Sequence, residues 1–306
     1  MKIDVIIPLY KPNEELFELL ERLNKQSVPI QNIILMNTEE KYFEKLIYNH
    51  PLQEKHSNVK VHHLSKREFD HGKTRHTGIK KSDADVVVLM TQDALPADQH
   101  LIEHLIAHLE DKVAVAYARQ LPKKDCSEIE KITRAFNYKA ESRIKTAADL
   151  QELGIKTYFC SNVCAAYRRD VYEELGGFIR HTIFNEDMIY AANAVKAGYA
   201  IAYEANAQVY HSHNYTCKQQ FKRNFDLGVS QAEHPEIFAN VPSEAEGSKM
   251  VKMVMAQLKA QGMWKEIFYF IFQCMSKYAG YLLGKHYRKL PKKIIFACTD
   301  NKEYWK

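Results

Sequence analysis

The 306 residues contain no apolar run long enough to cross a bilayer: Ile267 to Phe272 is cut off by Gln273, far below the roughly 20 residues a spanning helix needs. A paired cysteine framework is also missing. Cys126, Cys160, Cys164, Cys217, Cys274 and Cys298 are scattered along the chain, which suits free thiols in a reducing compartment. Met1-Lys2-Ile3-Asp4 leads straight into a strand, without the apolar core or small-residue cleavage site of a signal peptide, so a cytosolic location is expected. The formal net charge is only +5, and no basic stretch interleaved with aromatics precedes residue 260. No nucleic-acid partner is therefore expected. Internal repeats and low-complexity tracts are not visible. What the chain does have is 46% hydrophobic and 26% charged residues, enough to bury a substantial core, and a length that fits one large α/β domain with an appendage.

Ile3 to Pro8 is a short β-branched run, and Leu16, Leu19, Leu20 and Leu23 follow at helical spacing. The alternation then repeats: a strand over Asn32–Met36, a helix near Lys41–Tyr48, a strand over Val59–Leu64, a helix near Lys73–Lys81, and a strand over Val86–Met90. This order predicts a mainly parallel sheet with helices on both faces. The continuously apolar Val86–Met90 reads as a central strand covered on both sides. Thr91-Gln92-Asp93 then falls at a strand's carboxyl end, the edge where open α/β sheets bind ligands. Further on, the pattern predicts a helix near Leu101–Leu109, a strand from Val113 to Ala118 and a long polar helix from about Ser127 to Leu153. After these come a strand over Tyr158–Tyr167, a short helix over Asp170–Leu175, a helix starting near Asn185 and a strand over Tyr199–Tyr210. From Pro242 the pattern is helical only, which divides the chain into an α/β domain over 1–240 and a helical region over 241–306.

Several polar clusters sit where chemistry is favoured. Asp93 can hold Mg²⁺ or Mn²⁺, which take oxygen ligands and share phosphate oxygens, or can serve as a helix cap. Gly72, just before a helix, lets backbone approach a phosphate; the bland alternative for Asp70-His71-Gly72 and Arg75 is a loop with an Asp cap and a surface arginine. Asn185-Glu186-Asp187 opens a helix, where acids also favour the helix dipole. His211-Ser212-His213 ends the last strand of the α/β domain, and strand alternation would turn only one imidazole inward. Cys160 and Cys164 add little to a zinc reading, since a Cys-x-x-x-Cys pair on a strand converges poorly.

Taken in order, Val5-Ile6-Ile7-Pro8-Leu9-Tyr10, Phe69-Asp70-His71-Gly72-Lys73-Thr74-Arg75, Thr91-Gln92-Asp93-Ala94 and Asn185-Glu186-Asp187 resemble family 2 glycosyltransferases, and among them bacterial rhamnosyltransferases, over about residues 1–230. The resemblance implies a GT-A fold and transfer with inversion from a nucleotide-diphosphate sugar. It places the nucleotide against Pro8 and Tyr10, near Asn37 (where an acid is frequent), and beside Asp70, Gly72 and Arg75. The usual Asp-x-Asp motif appears as Thr91-Gln92-Asp93, so only Asp93 carries over as a metal ligand for Mn or Mg, with Gln92 beside the substrate. His211 or His213 occupies the place of a metal- or phosphate-binding histidine. Asp187 aligns with the catalytic carboxylate that takes the acceptor hydroxyl's proton, and Glu186 supports the acceptor. The implied donor is thymidine diphosphate β-L-rhamnose and the acceptor a lipid-linked saccharide; another nucleotide hexose is the nearest alternative. A nucleotidyltransferase is disfavoured because no Gly-rich, Arg- and Lys-bearing loop follows the first strand. A silent glycan-binding protein has only Gln92 in its favour.

The tail carries Trp264, Ile267, Phe268, Phe270, Ile271, Phe272 and Met275, followed by Lys277, Lys285, Arg288, Lys289, Lys292 and Lys293. An aromatic helix beside a basic cluster suits an anionic membrane surface, each nearby cation adding about 1 kcal/mol. Packing on the catalytic domain or in a homodimer is the alternative, and both can hold at once. Peripheral attachment at the inner face of the cell membrane is the resulting expectation.

Overall fold

A computed structural model of the chain describes residues 1–48, 52, 56–239, 241 and 244–306. The expected boundary near 240 and Pro242 lie outside the described residues. Strands β1 (Ile3–Tyr10), β2 (Asn32–Thr38), β3 (Val59–Leu64) and β4 (Val86–Met90) are all parallel, in the order β3-β2-β1-β4. Helices α1 (Glu15–Asn24), α2 (Glu40–Ile47) and α3 (His71–Lys80) lie in the connections. On α1 the residues at helical spacing, Leu16, Leu19, Leu20 and Leu23, are the buried ones, and every residue of β4 is buried. Between β1 and β4 the strand order reverses, which opens a crevice at their carboxyl ends.

The second half of the sheet is mixed. It comprises β5 (Leu95–Pro96), β6 (Val113–Leu121), β7 (Arg143–Lys145), β8 (Cys164–Arg168) and β9 (Ala200–Tyr210). β8 runs antiparallel between β4 and β6, β9 lies parallel to β6, and β5 and β7 both pair antiparallel with β9. Helices α4 (Leu101–Ile106), α5 (Glu128–Asn137), α6 (Leu150–Leu153), α7 (Arg169–Glu174) and α8 (Glu186–Lys196) complete this half.

Two expectations fail here. The long polar helix over Ser127–Leu153 is broken: α5 ends at Asn137, and Arg143, Ile144 and Lys145 pair with Tyr203, Ala202 and Ile201 of β9. Helix propensity in this stretch yields to the unpaired backbone along β9, whose ladder bonds must be satisfied. The strand expected over Tyr158–Tyr167 begins only at Cys164, because residues 154–158 form a 3₁₀ turn held from inside by Lys145, whose Nζ donates to the Lys156 carbonyl at 2.9 Å and to that of Phe159.

The carboxyl-terminal elements are α9 (Cys217–Glu233), α10 (Pro235–Phe238), α11 (Glu244–Ala260), α12 (Trp264–Lys285) and α13 (Lys292–Cys298). Helix α12 lies directly on α9. A Cβ on Gly280 or Gly284 would stand 2.1 Å from the carbonyl of Phe221 or Phe225, so the two backbones touch where only glycine fits. The opposite face is open: Trp264, Phe268 and Phe272 are 58%, 65% and 60% exposed. Lys285, Arg288, Lys289, Lys292 and Lys293 are exposed as well, whereas Lys277 is half-buried and its pKa is lowered by that burial. No helix among the described residues is long and apolar enough to cross a membrane, and the six cysteines are free.

Candidate active site

The crevice at the carboxyl ends of β1 and β4 opens into a cleft of about 480 Å³ whose walls include Asp93, Asp187, His211 and His213. Gln92, just after β4, is turned to the end of β1: its Oε1 accepts from Tyr10 N at 2.9 Å and its Nε2 donates to the Tyr10 carbonyl at 3.1 Å. Asp93 points the other way. Its carboxylate Oδ2 lies 3.5 Å from His211 Nε2 and 3.2 Å from His213 Nε2, and the two Nε2 atoms are 3.0 Å apart. Strand alternation does not carry through these histidines, because β9 ends at Tyr210; both imidazoles reach Asp93.

One atom from each of Asp93, His211 and His213 falls within 4.8 Å of the others. Gln120 Oε1 faces His211 Nδ1 at 3.0 Å. Its amide nitrogen donates to Ser161 Oγ, and Arg134 donates to the same oxygen as His211. That oxygen is therefore an acceptor, which puts the His211 proton on Nδ1 and leaves Nε2 with a lone pair, the orientation a metal-binding imidazole takes. Burial lowers the His211 pKa against the pull of Asp93, which keeps the ring neutral. Burial opposes charge on Asp93 too, but its contacts with the His211 and His213 rings outweigh it and hold the carboxyl well below its usual range. Two imidazole nitrogens and one carboxylate oxygen make a donor set that would hold a divalent cation.

Asp187 comes from the first turn of α8. The residue before that helix, Asn185, has a left-handed backbone (φ 66°) and is anchored by its Nδ2 donating to Ser230 Oγ at 3.1 Å; asparagine tolerates this conformation better than most residues. The turn aims Glu186 inward and Asp187 to the cleft. Glu186 is buried beside Arg75, with 3.2 Å between Oε1 and Nη1, and it accepts from Asn162 Nδ2 at 3.0 Å. Asp187 is half-buried; its Oδ2 accepts from the Asn162 backbone N–H at 3.0 Å and its Oδ1 from Met188 N at 2.8 Å. Burial, and then the charge of Glu186, push the Asp187 carboxyl above the ordinary carboxylate range. Glu186 itself, although buried, is held below its ordinary value by Arg75 and His71. The pair thus divides into one acid whose charge is favoured and one with raised proton affinity.

The other expected residues are held by backbone, side-chain and packing contacts. Asp70 caps α3, with Oδ1 accepting from Gly72 N and Lys73 N at 2.9 Å, and its Oδ2 accepts from Thr182 N at 3.1 Å. A Cβ on Gly72 would stand 1.9 Å from the Ile179 carbonyl, so α3 packs on that loop where only glycine fits. Asn37 is fully buried and its amide turns to His63 Nδ1 at 2.9 Å, while its neighbour Thr38 lines an adjoining cavity with Tyr10. Pro8 lies within β1, paired with Met36 of β2.

Asn162 and Arg223 escape sequence reading. Asn162 was expected inside a strand, yet it is the loop residue that holds both Asp187 and Glu186. Arg223, on α9, faces the cleft with its guanidinium over the rings of Phe184 and Tyr215 at 4.9 and 5.5 Å. The Thr216-x-x-Gln219 capping box marks where α9 begins, but nothing in the pattern distinguishes Arg223 from Lys218 or Lys222.

The profile of glycosyl transferase family 2 matches residues 4–176. The chain is 38% identical over 309 residues to the O-antigen chain rhamnosyltransferase RfbN of Salmonella typhimurium, covering 100% of this chain and 96% of that protein. It is 42% identical over 246 residues to the O-antigen chain rhamnosyltransferase WbaN of Salmonella anatum, with 79% and 78% covered. Among solved structures, the mannosyltransferase PcManGT from Pyrobaculum calidifontis, in complex with GDP-Man and Mn²⁺, gives a TM-score of 0.60 at 14% identity, over 95% of this chain and 88% of that one. TarS 1–349 of S. aureus gives 0.53 at 14% identity, over 94% and 92%. At such identities the likeness is one of fold, and that fold is GT-A. The chain belongs to glycosyltransferase family 2 and is a glycosyltransferase.

Proposed function

We propose that the enzyme transfers L-rhamnose, with inversion, from thymidine diphosphate β-L-rhamnose to a hydroxyl of a lipid-linked saccharide in O-antigen or related surface-polysaccharide synthesis. The sugar follows from the two O-antigen rhamnosyltransferases to which the chain is similar. The observation that carries the reaction type is the meeting of two unlike centres in one cleft. Asp93 with His211 and His213 forms one, and Asp187, with its raised pKa, forms the other.

Asp187 takes the proton of the acceptor hydroxyl, and Asn162 orients it by donating to Oδ2. Arg75 keeps Glu186 charged beside it, and Glu186 supports the acceptor. Asp93, His211 and His213 would hold Mn²⁺ or Mg²⁺, which would supply positive charge to the diphosphate leaving group. Arg223, with no carboxylate in ion-pair distance among the described residues, adds a second positive charge facing the same cleft. Tyr10 lines the nucleoside side and Pro8 shapes the strand beneath it, while Gln92, Asn37, Asp70 and Gly72 act through the backbone and packing contacts they make. The helical region 241–306, with its exposed aromatics and cations, attaches the enzyme to the inner face of an anionic membrane, where a lipid-linked acceptor lies.

Incubation with a panel of nucleotide sugars and a lipid-linked acceptor tests this reading. Release of thymidine diphosphate with an α-linked rhamnosyl product is expected. Turnover with another nucleotide hexose alone would move the donor assignment, and release of pyrophosphate would overturn the reaction type.

A further inference from the structure

Beside the catalytic cleft lies a smaller cavity of about 250 Å³, which shares His71, Phe184 and Arg223 with it. It is below the roughly 300–1,000 Å³ of whole small-molecule sites, so it suits one part of a ligand whose remainder lies in the cleft. One side is formed by Tyr10 and Thr38 at the carboxyl ends of β1 and β2, another by Phe69 and Ile183. The remaining side comes from the far end of the chain: Asp300 and Asn301, backed by Asp226 of α9.

The tail is tied down on both sides of these two residues. Thr299 is fully buried; its Oγ1 donates to Asp226 Oδ1 at 2.6 Å and its carbonyl accepts from Lys222 Nζ at 3.1 Å. The backbone N–H of Asp300 donates to Asp226 Oδ2 at 3.0 Å. Beyond them, Tyr304 Oη donates to Glu233 Oε2 at 2.7 Å, and its ring stacks on His181 at 4.5 Å and 9°. His181 lies 3.7 Å from Asp70, the cap of α3. Ordering a chain end costs about 1–2 kcal/mol per residue in backbone entropy, and here that order leaves two polar side chains at a cavity rim. Asn301 Oδ1 takes a long bond from Tyr304 N at 3.4 Å, while its Nδ2 has no bonded partner among the described residues. Asp300 keeps an exposed carboxylate, with Lys222 Nζ 3.5 Å from one oxygen.

We infer that the carboxyl-terminal residues Thr299–Trp305 form a wall of the donor site, and that Asn301 and Asp300 read the nucleoside of a nucleoside diphosphate. The inference rests on the donor reading given above. The rings of Tyr10 and Phe69 supply apolar area for a planar base. The Asn301 amide donates to a carbonyl on the base edge, and the Asp300 carboxylate accepts from a sugar hydroxyl or a base N–H. The phosphates then point to Arg223 and the cleft. Specificity of this kind is sharp, because a base that cannot answer the Asn301 donor leaves it unpaired.

Calorimetry with thymidine diphosphate plus Mn²⁺, and separately with pyrophosphate plus Mn²⁺, tests the inference on the full chain and on Asn301→Ala and Asp300→Ala. Each substitution is expected to weaken thymidine diphosphate about tenfold, as loss of one hydrogen bond does, and to leave pyrophosphate within about twofold. Asn301→Ala should also narrow the preference for thymidine over adenosine diphosphate, whose base has no carbonyl. If both variants bind thymidine diphosphate as the wild type does, the tail does not read the nucleoside and the inference fails. If the wild type binds pyrophosphate as tightly as any nucleoside diphosphate, the donor reading itself fails, a result separable from the first. A loss of both ligands in either variant, with an unchanged melting temperature, would place that residue at the phosphates and equally overturn the inference.

Discussion

Gln92 and Tyr10 exchange two hydrogen bonds across the reversal of strand order, at 2.9 and 3.1 Å. An amide can both accept and donate there; a carboxylate can only accept, and would face the Tyr10 carbonyl with a negative charge. Gln92→Glu is therefore expected to lower stability by about 1 kcal/mol and to weaken donor binding, without creating a second metal ligand. Thermal denaturation and Mn²⁺ titration check this. Tighter Mn²⁺ binding in the variant would show that the side chain swings into the cleft.

Asp187→Asn keeps the shape and one of the two backbone contacts, since its amide nitrogen cannot accept the other N–H, and it cannot take a proton. Transfer should fall by about 10²-fold or more, while donor affinity stays within about threefold. Single-turnover kinetics beside donor calorimetry separates the two, and a variant that keeps more than roughly a tenth of the rate would remove Asp187 as the base.

The acid limb of the rate profile follows from the two acids. Asp187 must be ionised to work, and burial with the Glu186 charge raises its pKa, so activity should fall with decreasing pH at a midpoint above the ordinary carboxylate range. Glu186→Gln removes the raising charge and leaves Arg75, so the midpoint should move to lower pH even as the maximum rate falls. An upward movement would contradict the electrostatic argument.

Asp93→Ala should weaken Mn²⁺-dependent donor binding and leave metal-free binding unchanged, since His211 and His213 lose the carboxylate between them. Chelation should lower wild-type transfer, with Mn²⁺ restoring it at lower concentration than Mg²⁺ because two of the three donors are imidazoles. Equal calorimetric traces for wild type and variant with Mn²⁺ would take Asp93 out of the site.

Removal of α12 would uncover the face of α9 on which Gly280 and Gly284 sit, so truncation confuses folding with attachment. Replacing the exposed Trp264, Phe268 and Phe272 with serine avoids this. The triple variant should keep its melting temperature, lose sedimentation with anionic vesicles and slow on a lipid-linked acceptor, yet retain transfer to a short soluble one. Wild-type attachment should weaken as salt shortens screening from about 10 Å at 0.1 M. Vesicle binding unchanged by the three substitutions, or their conversion of a dimer to a monomer, would make this face a protein contact.

The sequence by itself determined the strand–helix alternation of the first half, because Leu16, Leu19, Leu20 and Leu23 and the unbroken Val86–Met90 bury themselves in only one way. It also fixed the neighbourhoods of Asp93 and Asp187, since a strand's carboxyl end and a helix's first turn are local features. Tertiary structure decided the rest. Residues 143–145 became a strand because β9 had backbone to pair, which no property of the Ser127–Leu153 stretch reveals. His211 and His213 met at Asp93 because β9 stops at Tyr210, and Asn162 reached Asp187 and Glu186 because the 3₁₀ turn before it is clamped by Lys145. Asp300 came to lie opposite Tyr10 through contacts spanning almost the whole chain. Periodicity reports which face of an element is buried; it carries no information about which distant backbone or side chain will cover it.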